Sequence, residues 1–269
     1  MMIGVERKAG AAPAHGLVGR TALITGASSG IGRAIAEALA ARGASLCLIG
    51  RRPDVLRSVA PDSRQGMKSV YKIDLAEAAD IESLAVKMAH DGIAADILVH
   101  CAGVIALGNL EEAPVEEFDR QININLRAPY LLTRALLPQL KARRGQIIFI
   151  NSTAGISAVP GSGSYSAAKH GLAGLADSLR AEVSGQVRVT SVFTGSTATP
   201  MQASLHASKQ RVYQPETLIQ PEDVAFVVAH LLYLPATAEL TAIHMRPAQP
   251  PAQASKNGVP QVQQTKSTA

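Results

Sequence analysis

Tryptophan is absent from this 269-residue chain, and aromatic residues amount to only 3%. A formal net charge of +5 therefore comes without the aromatic side chains that interleave with cations in nucleic-acid-binding surfaces. The basic residues are scattered, with short clusters at Arg51-Arg52, Arg143-Arg144 and Lys209 to Arg211, a pattern that suits anionic small molecules better than a phosphate-backbone track. Cysteine is scarce as well. Cys47 and Cys101 both fall in apolar segments, so they read as small core residues in a reducing compartment and not as a disulfide framework. No apolar run approaches the roughly 18 residues of a membrane-spanning helix, and Met1 to Lys8 lacks the apolar stretch of a signal peptide. A soluble, cytoplasmic protein without nucleic-acid or membrane partners is the expectation.

What is present describes a globular chain: 47% hydrophobic and 17% charged residues. The length corresponds to one large domain or two small ones, able to bury roughly 70–75% of the unfolded surface. Residues 1–18 and 247–269 carry no periodic apolar positions and are expected to be flexible tails. Between them, short apolar runs at Ala22 to Ile24, Leu46 to Ile49, Ile97 to Val99, Ile147 to Ile150 and Val187 to Phe193 have the near-continuous apolarity of strands buried on both faces; shorter candidates lie at Ser69 to Ile73 and Leu240 to Met245. Helical spacing appears at Ile31, Ile35 and Leu39, from Glu77 to Ala89, Val115 to Leu140, Tyr165 to Val183 and Glu222 to Leu232. Strands alternating with helices predict a single α/β domain over residues 19–246. Its core would be a Rossmann-like, doubly wound parallel sheet of about seven strands with helices on both faces.

The first strand runs directly into Thr25-Gly26-Ala27-Ser28-Ser29-Gly30-Ile31-Gly32 and then a helix. Glycines allow unusual backbone angles and let a pyrophosphate approach the helix N-terminus, where free amides and the dipole favour negative charge. Taken alone, the stretch is also compatible with an ordinary tight turn. It resembles the Thr-Gly-x-x-x-Gly-x-Gly motif of the short-chain dehydrogenase/reductase family, and the resemblance extends from about residue 20 to residue 246. It assigns Gly26, Ser28, Ser29, Gly30, Ile31 and Gly32 to cofactor binding.

The second strand ends in Ile49-Gly50-Arg51-Arg52. An acid at this point would hold a ribose hydroxyl and repel a 2′-phosphate, whereas arginine attracts it. Gly50 stands at the family's aspartate position and Arg51 at its 2′-phosphate ligand, so NADP(H) is the expected cofactor, with Arg52 beside it. Asp74-Leu75 resembles the family's adenine-contacting pair, although Asp74 also suits a helix cap. His100-Cys101-Ala102-Gly103 stands where the family has Asn-Asn-Ala-Gly. Ala102 and Gly103 would still line the cofactor, while the two missing asparagines put side-chain hydrogen bonds in doubt. No second ligand cluster accompanies His100 and Cys101, so no metal is expected.

Tyr165 and Lys169 are four apart and share one face of a predicted helix. With Ser152, thirteen residues before Tyr165, and Asn125, they match the family's Asn-Ser-Tyr-Lys tetrad. The resemblance implies Tyr165 as general acid/base, Ser152 as hydrogen-bond partner of the substrate oxygen, and Lys169 as electrostatic tuner and ribose ligand. Asn125, chosen over Asn123, would hold a water linking Lys169 to solvent. An ordinary phenol titrates near pH 10. A lysine cation about 5 Å away would favour phenolate by roughly two pKa units at an effective dielectric of about 20.

Thr194-Gly195-Ser196-Thr197-Ala198-Thr199 matches the family's Pro-Gly segment, with Gly195 and Thr199 toward nicotinamide and Thr194 replacing the turn proline. Residues 200–220 read as a polar, irregular lid in which Lys209, Arg211 or Tyr213 is either a substrate contact or solvated surface. Leu240 to Pro247 resembles NADP-linked members acting on small hydroxy acids, hydroxyamino acids or simple carbonyls. The resemblance implies a dimer or homotetramer with contacts on the 115–140 and 165–183 helices. It predicts an NADP(H)-dependent oxidoreductase for a carbonyl or secondary alcohol of a small molecule; the alternative is an inactive NADP-sensing regulator of the same fold.

Overall fold

A computed structural model describes residues 16–60 and 66–248. Seven strands form one parallel sheet: β1 (Thr21–Thr25), β2 (Ser45–Gly50), β3 (Lys68–Lys72), β4 (Ile97–His100), β5 (Gln146–Ser152), β6 (Arg188–Thr194) and β7 (Ala242–Met245). Their spatial order is β3-β2-β1-β4-β5-β6-β7. The chain therefore builds outward from β1 in one direction, returns, and continues from β4 in the other. A crevice opens at this reversal, at the C-terminal ends of the strands.

The near-continuous apolar runs follow from burial on both faces. Ile24, Leu48, Val99, Ile148 and Val192 meet α1 (Gly30–Ala40) and α8 (Pro221–Leu231), while Leu23, Cys47, Leu98, Ile147 and Phe149 meet α3 (Ala78–His90), α5 (Ala128–Ala142) and α6 (Gly163–Glu182). Short α2 (Pro53–Arg57) follows β2, and α4 (Val115–Ile122) continues through a π-helical turn, Asn123–Arg127, into α5.

Two segments differ from expectation. The expected N-terminal tail extends too far, because Leu17 is buried and its N–H donates to Arg42 O at 2.7 Å, placing it in the α1 core. Residues 1–15 and 249–269 of the expected tails lie outside the described residues. The region read as irregular begins with a helix, α7 (Pro200–Ser208). It has no fully buried residue, so it carries no apolar stripe, but Thr199 caps it and Pro200 opens it.

Candidate active site

The glycine-rich turn is shaped by close backbone contact. Gly26 has φ +70°, and a Cβ on it would stand 2.7 Å from the backbone nitrogen of Ala102. One on Gly32 would stand 2.4 Å from Gly26 O. No side chain caps α1 and no acid occupies its first turn, so its terminal amides and dipole meet an anion without competition. Thr25 Oγ1 accepts from the N–H groups of Cys101 and Ala102, both at 2.9 Å. That bond tethers the loop after β4 to the turn through its backbone, despite the substituted side chains.

His100 and Cys101 are packing residues. The His100 ring stacks on Phe149 with centroids 4.8 Å apart, and its Nε2 pairs with Thr133 Oγ1 at 2.8 Å. Burial pushes the imidazole down to about 3, leaving it neutral, and pushes the Cys101 thiol up to about 12.

Arg51 and Arg52 are exposed beyond β2, and Arg52 Nη2 donates to Ser28 Oγ at 3.3 Å across the crevice. Asp74 performs the local task that its sequence allowed: Oδ1 accepts from Ala76 N–H at 3.0 Å, forming a turn before α3. With Leu75 it also lines the crevice. A glycine cradle that any Cβ would fill, uncapped helix amides, and two cations where β2 ends without an acid fit a dinucleotide carrying a 2′-phosphate.

Across the crevice, Tyr165 and Lys169 on α6 meet Ser152 at the end of β5. Lys169 is 5% exposed; its Nζ donates to Ile150 O at 3.2 Å and lies 5.8 Å from the centroid of the Tyr165 ring. Burial depresses the Lys169 ammonium to about 8. Burial likewise raises the phenol of Tyr165 above its ordinary value, opposed by a side-chain hydrogen bond with Ser152. Desolvation of the phenol thus opposes the favourable effect expected of the lysine cation.

Asn125 lies outside the crevice wall. Its Nδ2 donates to Val104 O at 2.8 Å and its Oδ1 accepts from Val104 N–H at 2.9 Å. Each end of the amide makes one bond to Val104, so the side chain positions the loop after β4 and keeps a second N–H and a second oxygen lone pair. Gln121, one turn earlier, clasps Ala106 N–H and O in the same manner, both at 3.2 Å. The other singled-out residues of the glycine turn, Arg51, Arg52, Asp74, Leu75, Ala102, Gly103, Ser152, Tyr165, Lys169, Gly195 and Thr199, all line the crevice, whose volume is about 500 Å³.

Sequence reasoning missed Asn151. Its Oδ1 accepts from Ser152 N–H at 2.8 Å and its Nδ2 donates to Lys169 O at 3.2 Å, which locks the end of β5 to α6. Thr194 Oγ1 donates to Asn151 O at 3.2 Å, so the residue replacing the expected proline ties β6 to this junction. The signal was the polar Asn151 ending an apolar strand. Thr199 Oγ1 accepts from Gln202 N–H at 3.2 Å, and its methyl would lie 3.0 Å from a Cβ on Gly30. Lys209, Arg211 and Tyr213 are not on the crevice wall; Tyr213 packs edge-on against His206.

Comparison with known proteins places this arrangement. A family model described as short chain dehydrogenase matches residues 20–210. Glycine betaine reductase of Emericella nidulans is 35% identical over 255 residues, 91% of this chain, but this chain spans only 20% of that protein's length. The 3-oxoacyl-(acyl-carrier-protein) reductase of Rickettsia prowazekii is 35% identical over 226 residues, covering 80% of this chain and 90% of the relative. An alcohol dehydrogenase from Thermococcus sibiricus, solved with 5-hydroxy-NADP, superposes with a TM-score of 0.78 at 28% identity, covering 87% of this chain and 99% of that one. The chain belongs to the short-chain dehydrogenase/reductase family.

Proposed function

We propose that this protein is an NADP(H)-dependent oxidoreductase acting on a carbonyl or secondary alcohol of a small molecule, with Tyr165 as general acid/base. The observation that carries the reading is the convergence of Tyr165, Lys169 and Ser152 on a crevice whose far side holds the glycine cradle and Arg51-Arg52. Similarity to solved NADP and NADPH complexes supports the choice of cofactor. When bound, the cofactor supplies or accepts the hydride, two electrons at carbon.

The chain's own residues supply the rest. The α1 amides hold pyrophosphate, Arg51 and Arg52 the 2′-phosphate, and Ser152 the substrate oxygen, where charge grows during reduction. Tyr165 breaks its O–H bond and gives that proton to the oxygen, completing an alcohol; the phenolate regains a proton from solvent. Burial raises the phenol's pKa and so favours its protonated form, the form that donates in the reductive direction. Lys169, largely protonated below about pH 8, steadies the transient phenolate. Asn151 and Asn125 keep strand end, helix and loop in register. Exposed Val115, Phe118 and Tyr130 on α4 and α5 support association into a homodimer or tetramer, which light scattering would measure.

The alternative is a cofactor sensor without turnover, suggested by the altered motifs at His100-Cys101 and Thr194. The full chain, mixed with NADPH and a panel of ketones, keto acids, diketones and aldehydes, is expected to consume NADPH with at least one member, and more weakly with NADH. NADPH binding without consumption of any member at saturating protein favours the sensor.

A further inference from the structure

The two ends of the crevice differ in charge. Its wall contains three cations among the described residues: Arg51, Arg52 and Lys169. The arginines follow β2, whereas Ser152 ends β5, three strands away in the sheet. At about 4.8 Å per strand this separation is roughly 14 Å, far more than that between the carbonyl and carboxylate of a small keto acid. Lys169 is buried beneath the Tyr165 ring with its ammonium on Ile150 O. The side chains that could have supplied a positive charge from the lid, Lys209 and Arg211, do not reach the wall.

Beyond these cations the wall carries no charge except Asp74: it combines the aliphatic side chains of Ile105, Leu107, Val159, Met201 and Leu205 with neutral hydroxyls such as Ser162 and Thr153 and the amide of Gln202. Val159 is 62% exposed and Met201 41%, so the rim offers apolar surface to whatever enters. A carboxylate placed here would gain no cation from the described wall, whereas an alkyl or aryl group would bury apolar area on both partners.

We infer that the substrate is an uncharged, predominantly apolar ketone or its secondary alcohol, and that the aliphatic rim of Val159, Met201 and Leu205 selects it against keto and hydroxy acids. This rests on the oxidoreductase reading above, and it excludes the hydroxy acids that the C-terminal sequence resemblance left open.

The test compares carbonyls whose ketone is insulated from the charge difference by three methylenes: 5-oxohexanoate and its methyl ester, with 4-phenylbutan-2-one as a third probe. With NADPH, kcat/KM for the ester is expected to exceed that for the acid by at least about tenfold, and the simple ketone is expected to be reduced. Met201→Arg, a change at an exposed position, is expected to raise kcat/KM for the acid and to narrow the ratio to below about threefold. Equal or greater efficiency with the acid in the wild-type protein overturns the inference while leaving the oxidoreductase reading intact. Should neither these probes nor any member of the wider panel of ketones, keto acids, diketones and aldehydes be reduced, that reading fails. Calorimetry of ester and acid binding to the NADP⁺-loaded protein then scores the rim by itself: ester-selective binding supports it, and binding of the acid as tight as that of the ester overturns it.

Discussion

The two ends of the same sheet are built to opposite rules. At the N-terminal ends of the strands, polar groups are matched. Asp96 accepts from Thr21 N–H at 2.8 Å and from two nitrogens of Arg143 at 2.8 and 3.1 Å. Arg188 donates to Leu234 O at 2.8 Å, and Glu239 accepts from Val189 N–H at 2.7 Å. At the C-terminal ends the chain leaves a crevice, uncapped helix amides, and a buried lysine whose burial pulls its ammonium toward neutrality. The N-terminal end pairs its charged groups with partners, and the other retains groups whose desolvation is a cost to the fold but useful for chemistry.

Substitutions at the two ends should therefore separate activity from stability. The largest separation is expected for Lys169→Met, with turnover falling by about 10²–10⁴-fold while the fold becomes more stable at neutral pH. A lysine titrating near 8 in the fold and near 10.5 when unfolded costs stability below pH 8. That cost is relieved as pH rises from about 8 to 10.5, because only the unfolded chain then keeps the proton, a gain of about 3 kcal/mol. Chemical denaturation across this range should show the wild type gaining stability relative to the variant; the buried thiols of Cys47 and Cys101, raised to about 12, lower stability above pH 9 in both and cancel in the difference. Gly32→Ala, which drives a Cβ into Gly26 O, should cost at least about 2 kcal/mol and remove NADPH binding, measurable together by thermal unfolding with and without cofactor.

At the opposite end, Asp96→Ala leaves Thr21 N–H and Arg143 without their acceptor. A loss of about 2 kcal/mol is expected with kcat unchanged, which denaturant titration beside a steady-state assay would check; a matching loss of kcat would break the contrast. Arg52→Ala should weaken NADPH by about tenfold, the size of one charge-assisted bond, and leave NADH nearly unaffected in a binding titration.

The features readable in advance were those in which a residue's neighbours in space are also its neighbours in sequence. Each strand's apolar run, the glycine turn, and the Tyr165–Lys169 spacing are local patterns, and the crevice follows from strand order once crossovers are right-handed. What escaped depends on distant partners. Asn151 and Gln121 are polar side chains whose roles come from backbone groups elsewhere: Lys169 O and Ala106. Leu17 belongs to a two-residue apolar pair, Leu17-Val18, between glycines, too short for any periodicity to mark it. The spacing of Tyr165 and Lys169 likewise carries no information about how deeply the phenol is buried.

Hydride transfer and proton transfer can be dissociated most directly by Tyr165→Phe, which removes one hydroxyl and keeps the ring. With the best carbonyl of the panel, kcat is expected to fall by at least about 10²-fold while NADPH affinity, read by fluorescence titration, changes less than about threefold. Turnover within a few-fold of wild type, with cofactor still bound, would contradict the assignment of the proton to this phenol.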